Sequence, residues 1–110
     1  MITNTGPTHS PPVTGILLRY AVILVMEGVT TPVSVADIVR AIERLGVNVP
    51  ERKGKWVSDA LRTERKKKRV IRIGRDRYIG GLPLSERTRR RATRAIVEAR
   101  HTGVGNRSLW

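Results

Sequence analysis

The chain has 110 residues, 39% of them hydrophobic, and a formal net charge of +13, so it can bury one modest core and offers no cleft between two domains. It has no cysteine, which excludes disulfide frameworks, thiolate metal sites and cysteine nucleophiles and fits a reducing compartment, the cytoplasm by default. The charge is unevenly placed: residues 1–46 carry three basic and three acidic side chains, and residues 47–110 carry 19 basic and six acidic ones. A neutral half followed by a cationic half predicts a scaffold bearing a polyanion-binding surface.

Residues 1–12, MITNTGPTHSPP, have no basic n-region and no cleavage site, so a disordered tail is expected there rather than a signal peptide. A first helix is expected over Val13 to Glu27, with Thr14 as its cap and Gly28 closing it. Its apolar run from Ile16 to Met26 contains Arg19 and falls short of the roughly 20 residues that cross a bilayer. Ile16, Leu17, Tyr20, Ala21, Leu24 and Val25 form the expected core stripe, yet Leu18, Val22, Ile23 and Met26 leave little polar face. Such a helix must be covered on both sides. Two covers are open: the rest of the domain, or a second copy in a homodimer resting on Leu18, Val22 or Met26.

The second helix is punctuated clearly. Ser34 is its N-cap, Asp37 the capping-box partner three residues on, Val33 a staple onto Ile38, and Gly46 the left-handed stop. Ile38, Ile42 and Leu45 recur at helical spacing from a start at Val35. A short loop, Val47-Asn48-Val49-Pro50, leads to a third helix over roughly Glu51 to Lys68, with Pro50 at its first position and Gly54 weakening its first turn. At 100° per residue, Val57, Ala60, Leu61 and the stem of Glu64 share one side, while Lys55, Asp59, Arg62 and Lys66 lie opposite. Arg69-Val70-Ile71-Arg72-Ile73, the turn Gly74-Arg75-Asp76-Arg77 and Tyr78-Ile79 before Gly80-Gly81 predict a hairpin with a basic tip. A last helix begins at the cap Ser85 and runs to about Arg100, with Thr88, Ala92, Ala95, Ile96 and Ala99 inward and Arg87, Arg90, Arg94 and His101 outward. Residues 102–110, with Gly103 and Gly105, are expected to be a flexible tail.

This order, with VSVADIVRAIERLG followed by KWVSDALRTERKKKRVIRIGRDRY, resembles the winged helix-turn-helix superfamily, in the manner of small bacterial and phage regulators. The resemblance spans residues from about 16 to 81. It implies an α+β fold, a domain over residues 13–81 of three helices plus a β-hairpin wing, to which this sequence adds a basic C-terminal helix over 82–101. It further implies double-stranded DNA as the partner, a transcriptional regulator or architectural role, and a nucleoid location within the cytoplasm.

On that resemblance the third helix enters a major groove, where Lys55, Ser58, Asp59 and Arg62 meet base edges: Arg clasps guanine and Asp accepts from cytosine. Asp59 is also four residues after Lys55 and three before Arg62, a spacing that equally gives helix-surface ion pairs. Lys53, Arg65, Lys66, Lys67 and Lys68 fit phosphate contacts, as does Arg72 on the wing, while Arg75 and Arg77 at its tip either bind phosphate or enter a minor groove. Arg87, Arg89, Arg90, Arg91 and Arg94 form a second cationic cluster, which extends the DNA footprint or binds RNA as an arginine-rich helix does.

Trp56 and Tyr78 are candidates for stacking on unpaired bases, but binders of single strands spread several aromatics along a groove, and core packing is expected of both. Nothing points to catalysis, a small-molecule ligand, a cofactor or a metal: His9 stands in the tail and His101 at the end of the last helix, no pair of carboxylates falls in a recognisable motif, and neither a phosphate-binding glycine loop nor a metal-ligand spacing occurs. A membrane surface is disfavoured because no amphipathic helix with Trp, Phe or Leu accompanies the basic residues. Beside the DNA-binding reading stand an RNA-binding component of a ribonucleoprotein and a protein-assembly module.

Overall fold

A computed structural model of the chain describes residues 15–101. The two expected tails, the start of the first helix at Val13, the cap Thr14, and His9, Gly103 and Gly105 lie outside the described residues. Four helices and one two-stranded antiparallel hairpin make an α+β fold: α1 (Gly15–Met26), α2 (Val35–Arg44), α3 (Lys53–Lys66), β1 (Val70–Gly74), β2 (Arg77–Gly80) and α4 (Glu86–Ala99). Among the described residues no helix is long and apolar enough to cross a membrane.

α1 lies at the centre, with α2, α3 and α4 all packed against it. Leu18, Ala21, Val22, Ile23 and Met26 are buried, Leu17, Tyr20, Leu24 and Val25 are half-buried, and Ile16 is 51% exposed. This corrects the expected division of the helix. Leu18, Val22 and Met26 belong to the chain's own core and are not available to a second copy, while Ile16, expected inside, is at the surface. α4 supplies the cover that the all-round apolar helix requires, seating Ala92 with Leu84 on Ile23, Tyr20 and Leu24.

Local signals place α2 and α4 where the sequence puts them. The Ser34 hydroxyl accepts from the Asp37 N–H at 3.1 Å, and the Asp37 carboxylate accepts from the Ser34 N–H at 3.0 Å. That backbone N–H, followed by the Ser34 hydroxyl, holds the Asp37 carboxyl below the usual carboxylate range. α4 starts after Ser85, whose hydroxyl accepts from the Thr88 N–H. Gly28 and Gly46 adopt left-handed backbone after α1 and α2, as stops of this kind require.

α3 departs at its start: it begins at Lys53, with Arg52 as N-cap at φ 68° and no side-chain cap. Pro50 and Glu51 therefore precede the helix and Pro50 is not its first residue. The helix ends in a Schellman arrangement, in which Arg69 N–H donates to Glu64 O at 3.1 Å and Lys68 N–H to Arg65 O at 3.0 Å. The residue in left-handed conformation there is Lys68 (φ 66°), not the usual glycine. Val57, Ala60, Leu61 and Glu64 are buried, as the helical wheel predicts.

In the hairpin, Val70 pairs with Gly80, Ile71 with Ile79, Arg72 with Tyr78 and Gly74 with Arg77. The turn is thus only Arg75-Asp76, and Ile73 falls at a bulge. On its far side β2 exchanges two hydrogen bonds with Val33, each 2.9 Å, between Tyr78 and Val33. The segment before α2 is thereby added to the sheet edge. Gly80 and Gly81 are set by close approach: a Cβ on Gly80 would stand 2.4 Å from Met26 O, and one on Gly81 2.2 Å from Lys68 O. The base of the hairpin is wedged between the ends of α1 and α3.

Candidate nucleic-acid interface

Packing of Val57, Ala60 and Leu61 leaves the opposite side of α3 to solvent, and β1 leaves the end of that helix after the three residues Lys67-Lys68-Arg69. The two elements converge on a groove of about 440 Å³ lined by Arg62, Arg65, Lys66, Lys68, Val70, Ile71 and Arg72. Five cationic side chains thus stand around an apolar floor, with no carboxylate in the lining. Among the described residues, no ion pair ties down Arg65, Lys66 or Lys68, and the Arg72 guanidinium is braced against Gly74 O at 3.1 Å.

A partly buried ion pair ties the end of α3 to the start of the hairpin. Glu64 is 2% exposed, and Arg69, the residue before β1, donates to its Oε1 at 3.1 Å. Removing Arg69 would leave the buried Glu64 carboxylate without its partner. Arg69 is therefore the one member of the basic run that builds the interface rather than facing it. The spacing of a glutamate and an arginine five residues apart across a helix end gave no sign of this.

The other predicted residues are distributed around this groove. Lys55 and Arg62 both reach Asp59, at 3.3 and 3.7 Å, and the side chains are 65%, 69% and 46% exposed respectively. The helix-surface ion pairs thus form, with Asp59 as their common acceptor. Such pairs contribute only about 0.3–0.5 kcal/mol each, which leaves Lys55 and Arg62 readily diverted to a phosphate or base. Ser58 is half-buried between the Arg62 and Arg65 sides of the wheel. Lys53 is turned away, its Nζ paired with Glu43 on α2, and Lys67 is exposed outside the groove lining.

The hairpin turn is fastened rather than free. Asp76, in left-handed backbone at φ 55°, accepts the Val35 N–H of the first turn of α2 on its Oδ1 at 2.8 Å. Arg75 and Arg77 are exposed on either side of this tether. Arg52, Lys68 and Asp76 are the non-glycine residues with positive φ among the described residues, and they stand at the two ends of α3 and at the hairpin turn. Left-handed backbone costs an L-residue about 1–2 kcal/mol, and such strain clusters at functional positions.

Trp56 is 37% exposed and lines a smaller groove with Arg19, Asp59, Ala60 and Thr63. This corrects its expected place in the core: it sits on the α3 flank toward the start of α1, where the packed stripe has already turned away. Tyr78 is buried, as expected.

On α4, Arg87, Arg90, Arg91 and Arg94 are exposed and line a concavity with Glu86. Arg89 separates from this cluster. Its guanidinium forks onto the Glu27 carboxylate at the end of α1, with Nε to Oε1 at 3.0 Å and Nη2 to Oε2, while Leu84 N–H donates to the same carboxylate at 3.4 Å. The Arg89 hydrogen bond is the chief cause that holds the Glu27 carboxyl below its usual range, outweighing the opposing effect of burial. Among the described residues no group of three or more His, Asp or Glu is placed to hold a metal ion.

Comparison of the chain with protein-family models, with curated proteins and with solved structures finds no match.

Proposed function

We propose that the chain is a winged helix-turn-helix protein that binds duplex DNA without catalysis, with α3 in the major groove and the hairpin as a wing on the flanking backbone. The observation that carries this reading is the groove between α3 and β1, where Arg62, Arg65, Lys66, Lys68 and Arg72 converge with no carboxylate among them. A convex helix bearing cations beside a second cationic wall matches a groove edge flanked by two phosphate paths. The pairing of Val33 with Tyr78 supports it, because it anchors the second strand of the wing to the segment before α2. Lys55 and Arg62, held only by weak surface pairs to Asp59, supply base contacts in this arrangement.

Duplex is favoured over single strands because the exposed aromatic among the described residues is Trp56 alone, Tyr20 being half-buried and Tyr78 buried. One ring does not make a stacking path. Gel-shift titration against duplex DNA, single-stranded DNA and structured RNA at matched salt tests the reading. Duplex should bind most tightly, with an affinity that falls by about 0.9 log units per tenfold rise in salt for each phosphate neutralised. Replacing Arg62, Arg65, Lys66 and Arg72 with Gln should flatten that slope. A flat response in the unaltered protein, or a preference for RNA, overturns the proposal.

A further inference from the structure

The second cationic surface lies on a different side of the molecule from the first. α4 rests on α1 through Tyr20, Ile23 and Leu24 and is locked there by Arg89 on Glu27. α3 meets α1 beside Gly15, Leu18 and Arg19. At 100° per residue these two contact sets stand about 140° apart around α1. The basic groove of α3 and β1 and the arginine face of α4 are therefore carried by helices on different sides of α1.

On α4 the buried residues Ala92 and Ile96 fix the inner side. Arg87, Arg90, Arg91 and Arg94, at i, i+3, i+4 and i+7, form one outward stripe about 10 Å long, around a concavity of about 400 Å³. The acidic residue in that lining is Glu86, which touches Arg90 at 3.3 Å with both side chains largely exposed. All four cations are arginines, whose planar forks suit bidentate phosphate contacts. A helix packed along its whole inner side presents only a shallow ridge. Such a ridge can lie across the phosphates flanking a B-form groove; A-form RNA offers phosphates as well, and it is the DNA reading of the α3 face that makes duplex DNA the occupant here.

We propose that the α4 arginine stripe is a second duplex-DNA site, so that one protomer holds two duplex segments on different faces and bridges them. The inference rests on the DNA-binding reading of the α3 face. Electrostatics permit it: the body measures 44 × 30 × 20 Å, which keeps the two polyanions roughly two or more Debye lengths apart at 0.1 M salt, where that length is about 10 Å.

The test captures a fluorescent duplex on beads that carry a second, immobilised duplex, and compares this with gel-shift affinity for one short duplex. The variant replaces Arg87, Arg90, Arg91 and Arg94 with Gln, all on the exposed face. The proposal expects the unaltered protein to capture the second duplex. It expects the variant to lose on the order of tenfold or more of that capture, as four phosphate contacts disappear. Single-duplex affinity should stay within about threefold, because those charges stand outside the screening range of the first duplex.

A variant that loses single-duplex affinity and capture in the same proportion would place α4 on the same duplex as α3 and overturn the proposal. A variant that still captures the second duplex would assign bridging to pairing of two copies and overturn it equally. Displacement of the captured duplex by structured RNA, at concentrations where duplex competitor does not displace it, would also overturn it. If the unaltered protein binds single duplex and captures no second one, bridging fails while the α3 reading stands. If it binds no duplex at all, it is the α3 reading that fails.

Discussion

Lys68 sits where a helix end ordinarily takes glycine, and it lines the cationic groove. Its left-handed backbone costs about 1–2 kcal/mol. Glycine there removes that cost but gives back about 0.5–1 kcal/mol of backbone entropy. Lys68→Gly should therefore stabilise the fold by roughly 0.5–1 kcal/mol, a rise of about 2–8 °C in Tm for a domain of this size. The same change removes one cation from the interface and should flatten the salt dependence of duplex binding by about 0.9 log units per tenfold salt. Lys68→Ala is the control, since alanine keeps the strained backbone and loses the charge. Thermal unfolding by circular dichroism and salt-dependent gel shifts on both variants separate the effects. Both should bind with the same reduced slope, and only the glycine variant should melt higher. If glycine lowers Tm, or if alanine matches its gain, no strain is stored at Lys68 and its use as support for an interface there collapses.

Arg69→Met should cost about 3–5 kcal/mol in urea unfolding, because the Glu64 carboxylate would be left buried and unpaired, whereas Arg65→Met should change stability little; similar costs for the two would refute the division between building and binding arginines. The Glu27 carboxyl is held low by Arg89, so the pair's contribution is fully present above the ordinary glutamate value of about 4.3 and is lost as pH falls through the depressed one. Glu27→Gln should accordingly cost about 1 kcal/mol at pH 7, the figure appropriate to a partly exposed pair, and much less at pH 3, with equal losses at both pH values refuting it. Asp59→Asn should free Lys55 and Arg62 and tighten binding to random duplex, roughly tenfold as a single carboxylate is removed from the phosphate path. Weakened binding to the preferred sequence with no gain on random duplex would instead make Asp59 a base contact.

What the sequence alone determined here is whatever depends on neighbours a few residues away. The Ser34–Asp37 box, the Ser85 cap, the left-handed stop at Gly46 and the packed side of α3 all follow from groups within a turn of each other, where backbone geometry leaves few outcomes. The inward side of α4 was legible for the same reason, since its alanines and Ile96 stand against a largely charged opposite face.

α1 was not legible. A helix apolar on all sides carries no period, so which residues it buries depended on where α2, α3 and α4 arrived, and Leu18, Val22 and Met26 went inward while Ile16 did not. Pro50 carried a start signal that the loop did not use, because the chain turns again at Arg52 before entering α3. Trp56 was read by its size alone, although burial depends on which flank of α3 faces a neighbour. Contacts distant in sequence stayed hidden altogether: Asp76 on the N-terminus of α2 joins residues 41 apart, and Arg89 on Glu27 joins residues 62 apart. The sequence counted the cations and named the helices that bear them. Only the tertiary packing around α1 decided that Arg62, Arg65, Lys66, Lys68 and Arg72 share one groove while the arginines of α4 face another way, because direction in space is set by contacts that no local pattern encodes.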